Sequence, residues 1–100
     1  MAANPLPEVN ILTVDVNTTS DINVHPGDSI TWTNSSNNDV QCAGVAANFP
    51  LNNRSWVVPK NSSNTPNGVK GTAPVSAVPY EFTRTPSTAG NGKMIVLTGR

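Results

Sequence analysis

The sequence predicts an all-β fold: a Greek-key β-sandwich of seven or eight short strands, forming one domain over residues 1–100. Three observations carry that expectation. The chain of 100 residues holds 9 prolines and 7 glycines, and no stretch between them shows the i, i+3, i+4 apolar stripe of a helix. Short segments alternating apolar and polar residues recur instead, separated by Pro, Gly, Asn, Asp and Ser clusters. The length suits one ordinary domain with a single core.

The elements follow in order. Val9 to Val16 sets Leu12, Val14 and Val16 on one face, with Thr13 and Asp15 on the other. Ile22-Asn23-Val24 is a short alternating piece. Pro26-Gly27-Asp28 makes a turn, and Ser29 to Thr33 then alternates so that Ile30 and Trp32 share the buried side. Asn34 to Asp39 reads as an Asn/Ser loop, Val40 to Val45 as a fourth strand, and Ser55 to Val58 as a short strand stopped by Pro59. Lys60 to Gly68 reads as a polar exposed loop. Val75 to Thr83 places Val78, Tyr80 and Phe82 at period two. Lys93 to Leu97 is an apolar run expected to be covered on both faces. The expected core is Ile30, Trp32, Val40, Trp56, Tyr80, Phe82, Ile95 and Leu97. Edge strands, such as the one around Val57, are open to pairing between copies.

Composition narrows the function classes. Six basic and six acidic side chains give a net charge of zero, which argues against nucleic acid or an anionic membrane as partner. No run is long enough to insert into a membrane as a helix. The polar surface is neutral Asn, Ser and Thr, a composition of secreted or periplasmic β-domains, and the expected location is therefore secreted or periplasmic, with no signal peptide in this sequence. Cys42 is the one cysteine, so no internal disulfide forms and the fold stands on its core.

Two segments resemble the cupredoxins of the plastocyanin and pseudoazurin type. Ile22 to Asn34 is similar to the family's second hairpin, where a Gly-Asp turn leads into an apolar-Thr-Trp-x-Asn strand. Tyr80-Glu81-Phe82-Thr83-Arg84-Thr85-Pro86-Ser87, followed by Gly90 and Gly92, resembles the copper loop, in which a Tyr-x-Phe-x-Cys strand runs into a Pro-His loop and a Met. The resemblance implies a cupredoxin-like scaffold, with Arg84 at the family's cysteine, Ser87 at its loop histidine, Asn38 near its first histidine and Asn91 near its axial methionine. A blue-copper site needs two imidazoles and a thiolate with a weak axial ligand, and a permanent cation at Arg84 opposes a metal ion. The resemblance thus implies the scaffold without copper, electron transfer or any other cofactor.

The inventory of reactive groups points the same way. His25 is the sole imidazole, no Gly-x-Ser-x-Gly elbow accompanies it, and the carboxylates are scattered, so no enzyme and no catalytic residue are expected. His25 reads as a turn histidine and Cys42 as a buried core thiol. Trp56 reads as core, with a stacking platform as the alternative. Asn-x-Ser/Thr acceptors fall at Asn17, Asn34, Asn53 and Asn61, a number that a chain this rich in Asn, Ser and Thr produces by chance.

The reading favoured here is a non-catalytic, copper-free binding or interaction module whose partner is an unidentified protein or carbohydrate. Its expected ligand-binding loops carry Asn37, Asn38, Arg84, Ser87, Thr88 and Asn91, neutral donors and acceptors gathered around one cation. Two alternatives stand beside it: a metal or electron carrier using His25, Cys42 and Met94, and a carbohydrate-binding sandwich using the Asn-rich loops.

Overall fold

The computed structural model describes residues 11–86 and 90–98. Eight strands follow in order: β1 (Ile11–Asp15), β2 (Ile22–Val24), β3 (Ser29–Asn34), β4 (Val40–Gly44), β5 (Ser55–Val58), β6 (Ser62–Gly68), β7 (Tyr80–Thr85) and β8 (Gly92–Val96). They form two sheets, β1-β3-β6 and β2-β8-β7-β4-β5. The β1–β3 and β2–β8 pairs are parallel, and the rest are antiparallel.

Alternation builds the core as expected. Ile30 and Trp32 on β3, Val40 and Cys42 on β4, Trp56 and Val58 on β5, Phe82 on β7, and Met94 and Val96 on β8 are all buried. Aromatic rings tie the two sheets together. Trp32 of the smaller sheet meets Trp56 at 5.3 Å and Phe82 at 5.6 Å in the larger one. Phe49, Leu51, Val69 and Ala73 join the core from connecting segments whose alternation gave no hint of burial.

Four expectations need correction. Residues 62–68 are not a loop but strand β6, antiparallel to β3. Its polar composition suits an edge, where Pro66 opposite Thr31 forfeits no hydrogen bond that the sheet requires. The strand expected over 75–83 begins only at Tyr80, after Pro79, and Val78 is 72% exposed outside the sheet. Strand β8 is covered on one face alone: Met94 and Val96 are buried, Ile95 is half-buried and Leu97 is exposed, because among the described residues no layer lies above the outer face of the larger sheet. Tyr80 likewise sits at the core's margin, half-buried.

A cationic plug and an apolar groove

Strand β7 turns Tyr80, Phe82 and Arg84 toward the interior in alternation. Arg84 closes that row at the end of the sandwich and is 6% exposed. Its Nε donates to the Gly90 carbonyl at 2.9 Å, and its Nη1 donates to the carbonyls of Val16 at 3.0 Å and Thr18 at 2.5 Å. The guanidinium carbon lies 5.7 Å from the centre of the Phe82 ring, the i−2 neighbour on the same face. One side chain thus fastens β7 to the β1–β2 connection and to the approach of β8.

Cys42 stands directly across from Arg84 in the β4–β7 pairing. Burial pushes its thiol up to about 12, and the neighbouring guanidinium only partly opposes that rise. The thiol is therefore neutral and unreactive at physiological pH. Burial pulls Arg84 below its ordinary value, while Cys42 and then Asp15 act in the other direction.

The Asn34–Asp39 turn is held by Asn34, itself buried. Its Nδ2 donates to the carbonyls of Asn38 at 2.8 Å and Val58 at 2.9 Å, and its Oδ1 accepts from the Ser36 backbone at 3.0 Å and hydroxyl at 2.6 Å. Both amide hydrogens of Asn34 are thus engaged within the fold.

The expected loop residues therefore divide. Arg84 and Asn91 line one polar cleft of about 210 Å³ with Thr18, Thr19, Ser20 and Lys93. Asn37 and Asn38 are exposed on the Asn34 turn and do not line that cleft. Ser87 and Thr88 lie outside the described residues.

The alternative metal set does not converge. His25 follows β2, and its backbone N–H donates to Asp28 Oδ2 at 2.8 Å, with Nδ1 3.8 Å from the same oxygen. Gly27, at φ +86°, makes that turn possible. Cys42 is three strands away across the β2-β8-β7-β4 order, about 14 Å at the usual strand spacing. Among the described residues no cluster of three His, Cys, Asp or Glu side chains is placed to hold a metal ion.

An apolar concavity lies at the other end, where β4 leaves the sheet and β7 enters it. A groove of about 470 Å³ lies between Val45, Ala46 and Asn48 on one wall and Val75, Ala77, Val78 and Pro79 on the other, with Tyr80 and Glu81 beside them. Sequence reasoning missed it. The one available signal was the uncharged run Pro74-Val75-Ser76-Ala77-Val78-Pro79, whose flanking prolines keep its valines out of a regular strand.

Comparison with known proteins fits this architecture. A Met-to-Lys variant of oxidised amicyanin superposes with a TM-score of 0.56 at 19% identity, covering 89% of this chain and 82% of that one. A Pro-to-Gly amicyanin variant in its reduced Cu(I) form at pH 4 gives 0.55 at 20% identity, covering 92% and 86%. The fold is cupredoxin-like. At this identity the likeness concerns the scaffold alone. No family model matches the chain, and no curated protein matches it either.

Proposed function

We propose that this protein is a non-catalytic, copper-free binding or interaction module on a cupredoxin-like scaffold, working in a secreted or periplasmic setting. The observation that carries the reading is Arg84. The resemblance in sequence puts a thiolate at its position, and a buried guanidinium with three carbonyl acceptors stands there instead. A metal ion about 4 Å from that cation would be repelled by roughly 4 kcal/mol per unit of its charge at an effective dielectric constant near 20. Asn38 supplies a backbone carbonyl to Asn34 and carries no imidazole. The neutral surface and the scarcity of nucleophiles and bases support a binding role over a catalytic one.

Titration with Cu²⁺, followed by calorimetry and visible absorption, tests the reading. The expected result is no stoichiometric heat and no intense visible band. Tight one-to-one uptake with such a band overturns it. The cleft of Thr18, Thr19, Ser20 and Asn91 beside Arg84 favours one second reading, a site for a hydroxyl-rich ligand such as a sugar. Silence on a broad glycan array removes that reading.

A further inference from the structure

We infer that Asn91 is a site of slow self-modification, where the Gly92 backbone nitrogen displaces the side-chain nitrogen and leaves an aspartyl or isoaspartyl residue in the polar cleft. The inference goes beyond the copper-free reading and does not depend on it, since the reaction needs no ligand.

The chemistry requires an asparagine whose carboxamide can turn onto the next backbone nitrogen. The Gly92 nitrogen, its proton passed to solvent base, attacks Asn91 Cγ. The bond from Cγ to Nδ2 breaks, and Nδ2 leaves as ammonia after taking a proton back from solvent. Water then opens the resulting succinimide ring. Opening at Cγ gives aspartyl, and opening at the main-chain carbonyl gives isoaspartyl. One water is consumed, one ammonia is released, and no oxidant or reductant is involved. Glycine as the following residue hinders ring closure least, because it has no Cβ and the freest backbone.

The sequence holds Asn-Gly twice, at 67–68 and at 91–92, and the structure separates the two. Asn67 is buried in β6. Its Nδ2 donates to the Asn53 carbonyl at 3.0 Å, and its Oδ1 accepts from the Asn53 N–H at 3.1 Å. Asn67 and Gly68 are both paired with β3, so turning that carboxamide onto Gly68 means breaking both bonds inside a sheet. Asn91 is exposed and stands just before β8, between Gly90 at φ +76° and Gly92. Arg84 and Lys93 line the same cleft, with Asp21 as their counterweight. Negative charge developing on the attacked carboxamide therefore forms beside two cations and one carboxylate. Packing also keeps the reactive pair in place. A Cβ at position 92 would lie 2.0 Å from Phe82 Cζ, so no bulkier residue can stand there to shield Asn91.

Incubation of the folded chain in mildly alkaline buffer over weeks tests this, with peptide mass mapping to locate the change and ion exchange to follow the charge. Conversion should begin at Asn91 and make the chain more acidic by one unit. Asn67 should react at least about tenfold more slowly, because its reaction waits on local opening of β6. In guanidinium chloride the two sites should convert at similar rates, since the same dipeptide is then equally free. Asn91→Gln, folded by circular dichroism, should suppress the acidic form, because the longer side chain has to close a larger ring. Conversion that begins at another asparagine overturns the inference, as does an Asn67 that keeps pace with Asn91 in the folded chain. So does an acidic form that persists in Asn91→Gln, or an Asn91 that stays intact when folded while converting in denaturant.

Discussion

Arg84 keeps its charge inside the sandwich by finding carbonyls, and those carbonyls depend on it in return. Val16, Thr18 and Gly90 each direct an oxygen at the guanidinium. Arg84→Met keeps the hydrophobic stem and removes the donors, so these oxygens lose a charge-assisted partner. The expected loss is about 2–4 kcal/mol of unfolding free energy, measured by urea denaturation. Arg84→Lys should recover only part of it, because a single ammonium cannot reproduce the planar fork that reaches two segments at once. A loss below measurement error in Arg84→Met would show that water serves those carbonyls equally well. This residue was legible in the sequence as a cation where the family resemblance places a metal ligand. Its partners were not, since backbone carbonyls leave no trace in residue identity.

Elements were legible to the degree that one face of each is buried. Strand β3 alternates cleanly because Ile30 and Trp32 face a core while Ser29, Thr31 and Thr33 do not. Strand β6 has only Asn67 buried, and that side chain is engaged with the backbone of Asn53 through reciprocal bonds of 3.1 and 3.0 Å. Its strand character comes from pairing with β3, which no local pattern announces. Strand β8 misled for the opposite reason: its apolar run suggested two covered faces where the sheet has one. The start of β8 carries a tighter constraint. A Cβ at Gly92 would lie 2.0 Å from Phe82 Cζ, and the Phe82 ring is wedged between Trp32 at 5.6 Å and Trp56 at 5.5 Å. Gly92→Ala should therefore cost about 2–3 kcal/mol through overpacking. Gly71→Ala, with no atom within 4 Å of its Cβ, should stay within about 0.5 kcal/mol. Thermal or urea unfolding of the two variants side by side checks the contrast, and equal effects would refute it.

At the scale of the whole molecule, the groove shows what single-chain patterning cannot reveal. Val45 and Val78 are far apart in sequence and become neighbours only because β4 pairs with β7. Topology, not periodicity, assembles that surface. Topology also gives the molecule a distinctive response to alkali by burying Cys42 on a central strand of the larger sheet. Below the thiol's ordinary value of 9.0, folded and unfolded chains both hold the proton, and the group's contribution to stability is fully present. As pH rises further the unfolded chain releases the proton while the folded chain retains it up to about 12. Unfolding then gains a deprotonation, so stability falls with rising pH across that interval. Arg84 acts with the opposite sign in strong alkali, where burial lowers its value and lets the folded chain shed a proton first. Comparison with Cys42→Ala separates the thiol from every other group that titrates in alkali. The difference in unfolding free energy between the two chains should be constant up to about pH 9 and then move steadily in favour of the alanine variant. The same burial should keep Cys42 inert to thiol reagents at pH 8 until denaturant is added. A difference that stays constant to pH 11, or prompt labelling of the folded chain, would place the thiol in contact with water.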